Sequence, residues 1–211
     1  ALEGRELAYA YMQKKFTTEG ETVAPLWVKD GEKLSEWSFW NFGEQAKMGF
    51  PFEDGEEILV DKRAATYFYV TFLPSKLGGA TFYLTGLRDS DGNLLNGKDT
   101  YKLNVPADVP AKDFWSAIVY NMETKNFNRG VDRVGASTKD LDKMVQNADG
   151  SVDVYYAPNL DEVPKGYEAN WVTTQSATSA DDWFFLFRLY RPETKDWFKT
   201  WMLNDVENIS K

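Results

Sequence analysis

Cysteine and histidine are both missing from this chain of 211 residues. Without cysteine there is no disulfide framework, no thiol nucleophile and no cysteinyl metal site. Without histidine the usual general base near neutral pH is gone, and with it the serine–histidine triad and most zinc or iron sites. Any catalysis would have to run on carboxylates, lysine, tyrosine, serine or arginine. Basic runs are missing too: 24 Lys and Arg stand against 33 Asp and Glu, for a net charge of −9 and a pI near 4.7. Nothing offsets that acidity, which argues against nucleic acid as a partner. No apolar run reaches the roughly 18 residues that a spanning helix needs, so no membrane span is expected. The first residue is Ala1, with neither an initiating Met nor a signal-peptide pattern, which fits a processed protein or a piece of a longer one. Lack of cysteine leaves the compartment open, with a periplasmic or secreted setting slightly favoured over the cytoplasm. No cofactor and no metal is expected.

What the chain has in quantity is aromatic side chains: 8 Trp, 11 Tyr and 14 Phe. These supply a core without covalent staples. Their densest run is Asp182-Trp183-Phe184-Phe185-Leu186-Phe187-Arg188-Leu189-Tyr190-Arg191-Pro192. It is too short for a long helix and is closed by proline. Alternation puts Trp183, Phe185, Phe187 and Leu189 on one face and Phe184, Leu186, Arg188 and Tyr190 on the other. Both faces are greasy, which predicts a central strand buried on two sides with Arg188 as its only charge.

Residues 1–18 read as a helix with Leu7, Ala8, Tyr11 and Met12 on one stripe, ended by Gly20. Pro25–Gly31 reads as a short extended piece and a turn. An aromatic knot follows, Trp37, Phe39, Trp40 and Phe42, then Phe50 and Phe52, read as a short helix and loop. Glu56–Leu73 can be written as a helix, against the competing β-formers of Thr66–Phe72. From Ala80 the pattern becomes short strands and turns: Thr81–Thr85, Tyr101–Val105, Phe114–Tyr120, Ser151–Tyr156 and Asn170–Val172, with Asp91-Gly92, Asn96-Gly97 and Asp149-Gly150 as turn signals. A short helix is expected near Lys139–Gln146. The prediction is an α+β chain with a helical, aromatic-rich segment over residues 1–78. Those N-terminal helices pack on a mainly antiparallel, jelly-roll-like β-sandwich over 79–211.

The ordered set Asp91-Gly92, Leu95, Gly97, Tyr101, Pro110, Phe114-Trp115-Ser116, Tyr120, Asn147, Asp149-Gly150-Ser151, Asn170-Trp171, Arg188-Leu189-Tyr190 and Pro192 resembles a known bacterial family. Its members pair domain of unknown function 1254 with domain of unknown function 1214. The likeness is to the 1214 module and covers roughly residues 60–209. In that family Asn-Trp is usually followed by a Leu-Pro run, whereas here Asn170-Trp171 leads into Val172-Thr173-Thr174. The family's middle-segment arginine matches Arg129 or Arg133. The resemblance implies a jelly-roll β-sandwich and a partner domain N-terminal to it, and it implies no particular activity.

Arg188 is the sharpest candidate for function, because a charge in a buried strand needs a partner. Its planar fork suits a carboxylate or phosphate; the blander alternative is a structural ion pair with Asp99, Asp113 or Asp153. If two strand ends share one rim, Trp115, Ser116, Asn170, Trp171 and Arg188 line a single pocket for a small polar ligand or glycan, by stacking and hydrogen bonds. Otherwise the tryptophans are core and Asn170 ties down its loop. Asp89–Asn93 places oxygens at alternate positions, but Leu94 and Thr100 occupy the glycine and glutamate positions of a calcium loop, so a plain turn is the better account. Trp37, Phe39, Trp40 and Phe42 either meet a missing partner domain or second subunit, or pack on this chain's own sheet. Two functions are carried forward. One is a non-catalytic binding or assembly module; the other is a hydrolase-like enzyme acting on a glycan or other polar substrate through carboxylates and Arg188.

Overall fold

A computed structural model describes residues 2–18, 23–40, 53–60, 64, 81–128, 130–175 and 182–210. It begins with helix α1 (Leu2–Thr17), followed by β1 (Val23–Pro25), β2 (Val28–Lys29), β3 (Glu32–Lys33), β4 (Ser38–Trp40), β5 (Glu53–Asp54) and β6 (Glu57–Ile58). The remaining strands are β7 (Thr81–Gly86), β8 (Tyr101–Val105), β9 (Ala111–Asn121), β10 (Gly135–Ser137), β11 (Val152–Ala157), β12 (Trp171–Thr173), β13 (Trp183–Pro192) and β14 (Glu207–Asn208). One sheet has the order β1-β4-β7-β13-β9-β10, antiparallel throughout; the other runs β12-β11-β8-β14, with β11 and β12 parallel. The fold is α+β and mostly β. Among the described residues no helix is long and apolar enough to cross a membrane.

The aromatic run is β13, fourth of the six strands, with β7 and β9 on either side. Its inner face behaves as alternation demands: Trp183, Phe185, Phe187 and Leu189 are all fully buried. They meet Tyr101 and Leu103 of β8 and Val154 and Tyr156 of β11, so the two sheets share one core. Edge and tilted ring contacts lock the layers, with Tyr156 at 5.1 Å from Trp183 and 5.2 Å from Phe185, and Tyr101 at 5.7 Å from Trp183. Full burial of each of these phenylalanines stabilises the fold by roughly 2–3 kcal/mol. Gly86 stands opposite Phe185, and a Cβ there would lie 2.5 Å from the ring, so the strand must be bare at that point.

Several expectations change. Alpha1 forms, but its predicted apolar stripe faces outward: Leu7 is 65% exposed and Tyr11 41% exposed. The helix is held instead by Phe16, buried edge-on against Phe184 at 5.1 Å. Leu7 and Tyr11 are one turn apart on the exposed side of the helix, so periodicity found a stripe without saying which side would pack on the sheet. Trp37–Phe39 is not a short helix and loop: β4 pairs with β1 and, through Ser38, with Thr85 of β7. Beside α1, the first segment thus contributes two strands to the six-stranded sheet, and that sheet takes strands from both sides of residue 78. Over 139–146 only a single 3-10 turn forms, Thr138–Asp140, closed by Ser137 and the reciprocal Asp140 carboxylate. Glu57–Ile58 is strand, Val60 and Ala64 are helical, and the rest of the helix considered for 56–73, together with Phe42, Phe50, Phe52 and Arg129, lies mostly outside the described residues.

Candidate functional site

The outer face of the six-stranded sheet is where the predicted charge sits. Register places Arg188 directly between Tyr83 of β7 and Ser116 of β9, and directly opposed side chains lie about 5 Å apart. The guanidinium lies 5.3 Å from the centroid of the Tyr83 ring and 5.8 Å from that of Tyr120. One terminal nitrogen donates to the Tyr120 hydroxyl, and the other reaches the Tyr190 hydroxyl at 3.5 Å. Aromatic packing fixes those two tyrosines: Tyr190 stacks on Phe114 at 3.9 Å, and Tyr120 on Phe184 at 5.3 Å. Burial pushes the Tyr120 hydroxyl pKa upward, and the nearby guanidinium opposes this more weakly. The phenol therefore keeps its proton at neutral pH.

The ion pairs considered for Arg188 do not form. Asp113 pairs with Arg191 at 2.6 Å, Asp99 accepts from Asn96 at 2.7 Å and Asn208 at 2.9 Å, and Asp153 accepts from Asn104 at 2.7 Å. Among the described residues no carboxylate is in ion-pair contact with Arg188. Its Nε, buried in the sheet face, has no hydrogen-bond partner, and neither have the hydroxyls of Ser116 and Thr85. Ser116 is 5% exposed and Thr85 fully buried. Thr85 lies on the same face, opposite Leu186. Orphaned buried donors are uncommon in native proteins and call for an explanation.

The other predicted pocket residues are elsewhere. Trp115 is next to Ser116 in sequence and therefore points the opposite way, stacked on Phe187 in the core at 5.4 Å. Asn170 is fully buried and fully bonded: its carbonyl accepts from the Val145 N–H, and its amide donates to the Val145 and Asp153 carbonyls, each at 2.8 Å. Trp171 donates its indole N–H to the Ala157 carbonyl at 3.0 Å. Of the five candidates, only Ser116 and Arg188 are brought together. Trp37 belongs to the core, 5.0 Å from Phe185, with its indole N–H on the Asn204 carbonyl at 2.9 Å. Phe39 is partly buried, and for Trp40 only the backbone in β4 is described. Arg133 clamps a loop, donating to the carbonyls of Gly135, Ala169 and Trp171. Asp89 caps a turn by accepting from the Asp91 and Asn93 amides, and no group of carboxylates among the described residues has metal-site geometry. Tyr83, Tyr120 and Tyr190 were not among the expected site residues; alternation already placed Tyr190 on the face of Arg188, but bringing the other two there needs the register between strands.

A concavity of about 760 Å³ lies under α1, lined by Tyr9, Gln13, the Asn96–Asp99 turn, Glu123 and Asp182 among others. It holds carboxylates, but Asp182 is six residues before Arg188 on extended backbone, about 20 Å away. The two sites do not act on one small substrate.

Comparison with solved structures finds the VPA0106 protein from Vibrio parahaemolyticus, at a TM-score of 0.52 and 17% identity, over 71% of this chain and 35% of that one. An uncharacterized protein from Burkholderia cenocepacia matches at a TM-score of 0.40 and 19% identity, over 64% of this chain and 32% of that one. At such identity the Vibrio likeness shows the fold alone. The chain spans about a third of the length of these two structures. No curated protein matches. The family model described as protein of unknown function (DUF1214) matches residues 80–194, more than half of the chain and including β13 with its arginine, so the protein belongs to the DUF1214 family.

Proposed function

We propose that this protein is a non-catalytic binding or assembly module that works with a partner domain or subunit and holds a small polar ligand at Arg188. The observation that carries this reading is the character of the Arg188 surroundings. Hydroxyl and guanidinium donors converge there, and among the described residues no carboxylate stands in ion-pair contact with the arginine. A hydrolase acting on a glycan would need an acid and a base a few ångströms apart across its substrate. Asp182, a cleft carboxylate, lies about 20 Å along the strand from Arg188, out of reach of that arrangement. The chain crosses between the two sheets at β7–β8, β8–β9, β10–β11, β12–β13 and β13–β14, while β9–β10 and β11–β12 each stay in one sheet, and these repeated crossings favour a jelly-roll-like architecture. Such folds host both binders and enzymes, so the reading rests on the site and not on the fold. A partner is favoured by the Vibrio structure, in which the likeness occupies 35% of a longer chain. The test is turnover: incubation with glycans and with aryl esters should give no product above the Arg188→Met background. Arg188-dependent release of product would overturn the reading.

A further inference from the structure

We infer that the Arg188 site takes a small organic monocarboxylate, seated against the guanidinium between Tyr83 and Tyr120. This rests on the binding-module reading and names its ligand class. A guanidinium has five N–H donors. Two reach tyrosine hydroxyls, and the Nε–H has no partner among the described residues. A hydroxyl that accepts from arginine still has its own proton to give, so Tyr120 and Tyr190 add two donors. Ser116, opposite Arg188 and without a partner, adds another. Among the described residues the site thus gathers donors with no carboxylate to meet them, and an acceptor ligand completes it.

Charge narrows the class. Water would satisfy a hydroxyl but would leave the arginine's charge uncompensated. A monoanion balances one guanidinium, whereas a phosphate dianion would leave a surplus charge in a face built of rings. Planarity points the same way, because a carboxylate matches the guanidinium fork with two parallel bonds. The walls are apolar, because the Tyr83 and Tyr120 rings face the guanidinium. The ligand therefore carries a flat or apolar body behind its carboxylate. Arg188 remains partly exposed, which leaves its outer edge open to an incoming anion.

The experiment titrates the full chain with benzoate, benzamide and inorganic phosphate by calorimetry. Benzamide has the same shape as benzoate without the charge. Benzoate should bind saturably, and benzamide and phosphate at least tenfold more weakly. Arg188→Lys keeps the charge but loses the fork, and should weaken benzoate tenfold or more. Ser116→Ala, a milder change, should weaken it several-fold. Absence of saturable benzoate binding would overturn the inference, as would equal binding of benzamide, tighter binding of phosphate, or an unchanged Arg188→Lys variant. The wild-type comparison of the three ligands stands even if a variant fails to fold. Methyl benzoate in parallel samples separates the two levels: its Arg188-dependent cleavage would sink the non-catalytic reading, while failed benzoate binding without cleavage would sink only the ligand class.

Discussion

Asn170 shows how a polar side chain becomes structural. Its amide joins three backbone groups from two separate stretches, Val145 on both its N–H and its carbonyl and Asp153 on its carbonyl, with no solvent exposure. Removing it leaves those groups buried without partners, and each such loss costs about 1–3 kcal/mol. Asn170→Ala should therefore lower unfolding stability by about 2–4 kcal/mol in a denaturant titration, with benzoate affinity at Arg188 unchanged. An effect within about 0.5 kcal/mol, the range of ordinary surface changes, would contradict this role. The sequence marked Asn170 as notable but could not say why, because its partners lie 17 and 25 residues away. Ser116 and Trp115 are a different matter. Strand alternation, the rule that located β13, also sends neighbouring residues to opposite faces, so the two could have been separated from sequence alone.

Among the elements, β13 was legible because both of its faces are apolar over ten residues, and its only interior charge drew notice by contrast. Strand β4 was not, because three residues give too short a period and the strand exists only through its pairing with β1 and β7. Helix α1 was legible as a helix but not as to which side packs. Its attachment is a small cluster: Phe16 on Phe184, the Tyr9 hydroxyl on the Glu123 carbonyl at 2.6 Å, and Gln13 accepting from the Lys125 ammonium at 2.6 Å. The Lys125 nitrogen also lies 5.6 Å from the Phe16 ring centroid. Burial lowers the Lys125 pKa from 10.5 to about 7, and Glu123 opposes this only in part. Between pH 7 and 10.5 the unfolded chain thus holds more protons at this lysine than the folded one, so its contribution to stability rises with pH across that window. Below about pH 7 both states are protonated and the contribution is flat. Thermal unfolding of the wild type should therefore climb from pH 7 to pH 9 relative to Lys125→Met, in which this term is missing. Parallel pH profiles for the two proteins would show that the lysine is not held in an apolar setting.

At the scale of the whole molecule, the two ends of the chain are fastened to each other as well as to the sheets. Trp27 donates to the Phe198 carbonyl at 2.8 Å, and Trp37 to the Asn204 carbonyl at 2.9 Å. Asp205 accepts from the Ser35 hydroxyl at 2.6 Å and from the Glu36 amide at 2.9 Å. These bonds join residues 167–171 positions apart, far beyond what local propensity can signal. That separation is the physical reason the first segment was expected to form a helical layer of its own. Its residues do not stand apart: β1 and β4 extend the six-stranded sheet, and Trp37 lies against Phe185 and Phe187 at the centre of the core. A boundary near residue 78 would let the first segment melt separately, giving two transitions. Strands shared across that boundary instead tie the unfolding of the first segment to that of the sheets. Asp205→Ala tests the latch: it strips the acceptor from a buried serine and from a backbone amide, at a cost of about 2 kcal/mol. Tryptophan fluorescence and far-UV circular dichroism should shift together to a lower midpoint in that variant, as one coincident transition. A fluorescence change preceding the loss of sheet signal would show instead that the first segment detaches while the sheets stay closed.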